Sequence, residues 1–235
     1  QRSKACFAPF FFYTVFLRKE IRMTTLIFVR HGQSLGNAKC EFLGHTDLDL
    51  SELGYAQASR TAEYIKENFK LDKIYSSDLQ RAYNTAKATD NLFHLGITKD
   101  KSLREIYAGE WEKKTFSQLA EEYRDDYSKW LNDIGNACCT GGETIAELQK
   151  RALAAVTKIA EENDGKTVLI ATHATFIRVL ECIWRGAELD KMKDFPWVKN
   201  ASVSVVEYAD GKWIPKVIGE CSFLKEFESG LPANV

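Results

Sequence analysis

Three short apolar segments of this chain are each followed at once by residues that can handle a phosphoryl group. Residues 25–29 (TLIFV) lead into Arg30, His31, Gly32 and, a few residues on, Asn37. Residues 73–77 (KIYSS) lead into Asp78, Leu79, Gln80 and Arg81, and residues 167–172 (TVLIAT) lead into His173. Guanidinium groups bind phosphate oxygens in pairs and keep their charge at every working pH. An imidazole with an unprotonated nitrogen can attack phosphorus. Gly32 lets the backbone turn closely beside that histidine, and Asn37 can offer its amide to a phosphate oxygen. A leaving alcohol also needs a proton, and Glu105, in the run Leu103-Arg104-Glu105, is the candidate acid. Glu110, Glu112 and Glu143 compete for that role. Glu143 reads most simply as a helix opener, where a carboxylate meets the positive end of the dipole. His45 and His94 fall at no strand end and read as structural. Asn37 can equally cap a turn.

These residues converge only if the apolar segments are neighbouring parallel strands. Continuous apolar runs of this length mark strands buried on both faces. Between them lie helical periodicities. One starts at Ser51 as a cap and runs through Phe69, another covers 79–95 and is ended by Gly96, and a long one covers 143–162 after Gly141-Gly142. A further helix begins near Ala174. Residues 202–208 and 213–218 flank Asp210-Gly211, a hairpin signal. The expected fold is therefore an α/β three-layer sandwich with a mostly parallel central sheet. In such sheets ligands bind beyond the carboxyl ends of the strands. Residues 106–140 break the alternation. They are rich in aromatics (Tyr107, Trp111, Phe116, Tyr123, Tyr127, Trp130) and are expected to form a helical cap over one end of the sheet.

Taken together, Arg30-His31-Gly32 with Ser34 and Asn37, the S-S-D-L-x-R-A segment ending in Arg81-Ala82, L-R-E ending in Glu105, AGEWEKKT at 108–115, Gly141-Gly142-Glu143-Thr144 and Thr172-His173 resemble the histidine phosphatases of the phosphoglycerate-mutase-like superfamily. The match runs from residue 25 to about 180. Two positions depart from it: Ala174 and Lys113 stand where the family usually has glycine. The resemblance implies that His31 becomes a phosphohistidine. It implies that Arg30, Asn37, Arg81 and His173 bind the phosphoryl group, His173 also steadying the transition state. Glu105 would then serve as general acid and afterwards as base for water. No metal and no cofactor are expected. The phosphatase branch is favoured over a cofactor-dependent mutase, because the stretch from Glu105 to Gly141 is short and holds Arg124 alone as an interior arginine. The substrate expected is a small phosphorylated metabolite, with broad specificity or a nucleotide-like ester of the cobalamin pathway among the options. The remote alternative is a phospho-ligand-binding module without catalysis, which the presence of the whole residue set argues against.

The bulk properties limit other readings. The chain has 235 residues, 45% hydrophobic and 28% charged, with a formal net charge of −1. That excludes global disorder, and the lack of a basic run argues against nucleic acid as a partner. No stretch is apolar enough for stable membrane insertion. Residues 1–22 are foreign to the rest, with five basic residues against one acidic around a phenylalanine-rich stretch. They read as an upstream translated segment or a leader, with 23–235 as a single domain starting at Met23. The six cysteines are scattered without a C-x-x-C pair, which suits reduced thiols in a cytoplasm. Assembly as a homodimer is left open. Gly32-Gln33-Ser34-Leu35-Gly36 also spells the nucleophile elbow of serine hydrolases. It follows the first strand rather than a later one, and residues 36–50 read as loop where an elbow needs a helix.

Overall fold

The computed structural model describes residues 22–227; the leader reading of the N-terminal segment falls almost wholly outside them. Six strands form one sheet: β1 (Thr24–Arg30), β2 (Lys73–Ser76), β3 (Ile97–Lys99), β4 (Thr167–Thr172), β5 (Val203–Ala209) and β6 (Lys212–Glu220). Their order is β3-β2-β4-β1-β5-β6. The first four are mutually parallel, and β5 and β6 add an antiparallel hairpin at one edge. Asp210 and Gly211 turn that hairpin with positive φ at both positions, as the sequence predicts.

Seven helices accompany the sheet: α1 (Leu35–Ala38), α2 (Glu52–Asn68), α3 (Gln80–Phe93), α4 (Phe116–Glu122), α5 (Arg124–Asn132), α6 (Ile145–Glu162) and α7 (Ala174–Trp184). Alternation along β1 divides the core. Leu26 and Phe28 pack with α6, α7 and the aromatic insertion, whereas Ile27 and Val29 pack with Ile65 of α2 and Ala86 of α3. Helices therefore cover both faces, and the expected three-layer sandwich forms. Among the described residues no helix is long and apolar enough to cross a membrane.

Several boundaries differ from the sequence reading for identifiable reasons. Helix α3 stops at Phe93 because His94 takes the left-handed cap (φ 57°) two residues before Gly96. Helix α6 begins at Ile145, since Thr144 and Glu147 form a reciprocal capping box. Residues 36–50 are not all loop: Ser34 caps the one-turn helix α1 by accepting the Asn37 N–H. That use of its hydroxyl, together with complete burial, leaves Ser34 unsuited to serve as a hydrolase nucleophile. Lys113, at a position where a glycine resembles the family better, adopts φ 65°.

The insertion supplies α4 and α5 and a dense aromatic cluster. Trp111 and Tyr127 are core residues, and Phe42 packs edge-on against Trp111 (5.5 Å) and Trp130 (5.2 Å). Backbone bonds from Phe42 N–H to Lys114 O and from Lys113 N–H to Phe42 O, 2.9 and 2.8 Å, tie the insertion to the segment after α1.

The turn after β1 lies hard against the start of α2. A methyl group on Gly32 would collide with the Gly54 carbonyl, and one on Gly54 with the Gln33 carbonyl. Both neighbours are backbone and cannot swing aside. Gly54→Ala should therefore destabilise by about 1–3 kcal/mol, lowering Tm by roughly 2–12 °C for a chain of this size. A thermal melt followed by circular dichroism checks this, and an unchanged Tm would contradict the close packing.

Candidate active site

The register of the parallel strands brings the predicted residues together. Arg30 of β1 pairs with Thr172 of β4, and Ser76 of β2 with Ala171. Each strand thus ends at the same level, and His31, Ser77 and His173 follow side by side. His31 N–H donates to Thr172 O, and Ser77 N–H to Ala171 O, both at 2.9 Å. The two imidazole rings stand 5.2 Å apart at 62°.

Each ring is held in a definite state by its neighbours. His31 Nδ1–H donates to the Gly32 carbonyl at 2.6 Å. The Nε2 lone pair is then free, which is the form a nucleophile requires. Gly32 N–H is itself anchored on Thr85 Oγ1 at 3.0 Å. His173 Nε2 lies 2.9 Å from Ser77 Oγ, which also accepts the Leu79 N–H at 3.4 Å. The Ser77 hydroxyl can pair with either tautomer; we assign the one in which it donates to Nε2, which leaves a donor on Nδ1 for an anion. The proton of His173 then sits on Nδ1, a buried nitrogen with no partner in the protein. Burial pushes both imidazoles well below the ordinary histidine value, with Arg81 the next contributor in each case. Both are neutral at pH 7.

Arg30 and Arg81 lie at the same level. Arg30 Nη1 donates to Val198 O at 2.6 Å, and its Nε has no partner. Arg81 donates from Nη1 to Thr46 O and from Nη2 to Gly44 O, both at 2.8 Å. Both guanidiniums are buried, and burial lowers each to about 10, so both keep their charge at neutral pH. Among the described residues neither forms an ion pair. Glu105 acts on both through space, and Asp47 and Glu112 on Arg81, but two buried cations without a direct carboxylate partner still favour an anion placed between them. Asn37 takes the capping role that one reading gave it. Its Oδ1 accepts the Ser34 N–H and an N–H from the Asn200 amide, its Nδ2 has no partner among the described residues, and the residue lines the same cleft.

Glu105 faces this group across the cleft. Its Oε1 accepts the Ile106 N–H at 2.9 Å, and its Oε2 the Thr175 N–H at 3.2 Å, in the first turn of α7. The competing carboxylates are engaged elsewhere. Glu110 accepts from the Tyr123 hydroxyl, and Glu112 from His45 N–H and the Thr46 hydroxyl. Glu143 does not open a helix as expected. It precedes α6 and is held in a two-point ion pair by Arg151, at 3.0 and 2.7 Å, because the Thr144 capping box takes over the helix terminus. Arg151 also donates to the carbonyls of Ser102, Arg104 and Glu105. His45, read as structural, donates from Nε2 to the Glu105 carbonyl at 2.9 Å. A two-point Arg104–Asp78 ion pair joins the Glu105 segment to the one bearing Arg81. The sequence reading passed over Arg151, Asn200 and Ser77. Ser77 at least stands inside a quoted motif; Arg151 and Asn200, besides their side-chain partners Glu143 and Asn37, donate to main-chain carbonyls, Asn200 to that of His31 at 3.1 Å, and the accepting positions carry no sequence signal. Among the described residues no group of three or more His, Cys, Asp or Glu side chains gathers as a metal site would.

The neutral histidines make stability depend on pH. In the unfolded chain both take up protons below about pH 6.5, whereas in the folded state they resist protonation. Their contribution is complete above that pH and is lost as the pH falls toward the depressed folded values, with a slope of up to about 1.4 kcal/mol per pH unit for each histidine. Urea unfolding between pH 7.5 and 5 should show falling stability, with a shallower fall in His173→Asn. Equal slopes in the two proteins would contradict the buried neutral state.

Comparison with known proteins gives one consistent answer. Residues 26–220 match the family model of the histidine phosphatase superfamily (branch 1). Phosphoserine phosphatase 1 of Hydrogenobacter thermophilus is 30% identical, over 87% of this chain and 96% of that protein. Phosphoglycerate mutase-like protein 4 of Arabidopsis thaliana is 29% identical, over 88% and 90%. The solved structure of YhfR from Bacillus stearothermophilus superposes with a TM-score of 0.82 at 30% identity, covering 86% of this chain and 99% of that one. The chain belongs to the histidine phosphatase superfamily, branch 1.

Proposed function

We propose that the protein hydrolyses small phosphate monoesters in two steps through a phosphohistidine at His31. The observation that carries this reading is the His31 ring, fixed with Nε2 unprotonated beside two buried guanidiniums that lack carboxylate partners. Nε2 attacks phosphorus as the ester P–O bond breaks. Arg30, Arg81, Asn37 Nδ2 and His173 Nδ1–H hold the phosphoryl oxygens, and protonated Glu105 gives its proton to the departing alkoxide. Glu105, now a carboxylate, takes a proton from water as that water attacks the phosphohistidine. Inorganic phosphate leaves, and His31 and protonated Glu105 are restored. The Hydrogenobacter relative is named a phosphoserine phosphatase, which supports hydrolysis. Cys40, Cys138, Cys139 and Cys182 are thiols, in keeping with a reducing cytoplasm.

Rapid quench with substrate should trap an acid-labile, base-stable phosphoprotein that is absent in His31→Ala. Labelling that persists in that variant would move the nucleophile elsewhere. Activity should survive exhaustive chelation, because the arginines supply the positive charge, and vanadate should inhibit. A strict divalent-ion requirement would contradict this.

Glu105→Gln tests the acid. General acid catalysis is worth about 10²–10⁴-fold where the leaving alcohol is poor. Single-turnover phosphorylation by an alkyl phosphate should fall by that order, and phosphorylation by a nitrophenyl ester much less. Equal losses for both esters would remove Glu105 from the role. Isomerisation of 3-phosphoglycerate outpacing phosphate release from every ester would replace hydrolysis by transfer.

A further inference from the structure

The cleft changes character outward from the phosphoryl site. Its inner end holds the two arginines, His31 and Asn37, and its outer part is walled by Phe42, Phe116, Trp130 and Trp197. The rings form a connected surface: Phe42 meets Phe116 edge-on at 6.4 Å and Trp130 at 5.2 Å, and Trp130 stacks on Trp197 at 6.3 Å. One charged side chain joins them, that of Glu41. It is half-buried, and its carboxylate has no hydrogen-bond or ion-pair partner among the described residues. Another cation packed against this wall is Arg178. It lies over the Trp197 ring at 4.1 Å, donates to the carbonyls of Met192 and Phe195, and does not line the cleft. All the positive charge lining the cleft is therefore at the inner end, committed to the phosphoryl group, and the alcohol portion of a substrate meets aromatic rings and one unpaired carboxylate.

Three kinds of alcohol fare differently there. A carboxylate-bearing one would be placed beside Glu41 with no cation to receive it. A neutral apolar one would pack on the rings but strip water from an unpaired Glu41 carboxylate. A substituted ammonium satisfies both elements, through the ring faces and the carboxylate together. We propose that Glu41 and the aromatic wall select phosphate esters of amino alcohols, of the choline or ethanolamine type. This rests on the phosphatase reading above and adds its substrate class. It separates this chain from its phosphoserine phosphatase relative, whose named substrate carries a carboxylate as well as an amine.

The test compares phosphocholine with 3,3-dimethylbutyl phosphate, which has nearly the same shape without the charge. The ratio of their kcat/KM values is measured in the wild type, in Glu41→Gln and in Glu41→Lys. Each ratio is internal to one protein, so partial loss of folded enzyme cancels, and comparison between proteins cancels the differing acidity of the two alcohols. The ratio should fall about tenfold in Glu41→Gln, the order expected for loss of one ammonium–carboxylate attraction near a protein surface with the aromatic contacts kept. Glu41→Lys should lower it further and raise 3-phosphoglycerate relative to phosphocholine. A ratio that is the same in wild type and Glu41→Gln would overturn the assignment, as would a wild type that prefers 3-phosphoglycerate. Hydrolysis of p-nitrophenyl phosphate by the wild type separates the two levels. If it proceeds while the ratios stay constant, the substrate class fails and the phosphatase stands; if no ester at all is cleaved, both fail.

Discussion

Two positive charges sit buried at the end of a parallel sheet without a direct ion pair among the described residues, and the carboxylates near them, Glu105 foremost, act only through space. Most of the local architecture follows from that constraint. A buried guanidinium survives only if its N–H groups are satisfied, and here main-chain carbonyls do it: Val198 for Arg30, Thr46 and Gly44 for Arg81. Carbonyls orient the forks without cancelling their charge, so the field is kept for a ligand. Carboxylates in the same places would give a more comfortable resting protein and a poor phosphate site. The same field helps to keep both imidazoles neutral, so one arrangement provides both the attraction for an anion and the unprotonated nitrogen that meets it.

Holding that arrangement is a matter of strand register. A one-residue shift between β1 and β4 would carry His173 past His31 and turn alternate side chains to the wrong face. The register is fixed from both sides of the sheet, by Leu26 and Phe28 toward α6 and α7 and by Ile27 and Val29 toward α2 and α3. Glu105 is positioned differently. It stands on an irregular segment after the edge strand β3, with no ladder beyond it. Arg151 and His45 grip its carbonyl, and two main-chain N–H groups grip its carboxylate. Strands aim the two arginines and the two histidines, and side-chain clamps aim Glu105.

This difference explains what could be read from the sequence. Arg30, His31, Arg81 and His173 announce themselves because each follows an apolar run, and burial in a parallel sheet writes such runs plainly. The hairpin at Asp210-Gly211 and the Ser51 cap were legible for the same kind of reason, since a local geometry demands a particular residue type. Glu143 was misread because a carboxylate ahead of a helix looks like a dipole partner, and its true partner, Arg151, lies two turns further along the chain. His94 ended α3 early because a histidine took a conformation that glycine, two residues later, seemed reserved for. Contacts made through main-chain carbonyls, such as those of Arg151 and Asn200, leave no mark on residue type at the accepting position.

The backbone bonds between Phe42 and residues 113–114 have a mechanical consequence. With Trp111 buried beneath them, they fasten the aromatic insertion to the segment that also carries Asn37 and Glu41. The roof of the cleft and one of its walls are thus a single frame. In a frame of this kind any shift of the insertion carries the segment of Asn37 and Glu41 with it. The side chains that face the inner end of the cleft and those that face its outer part are thereby coupled through the backbone as well as through charge.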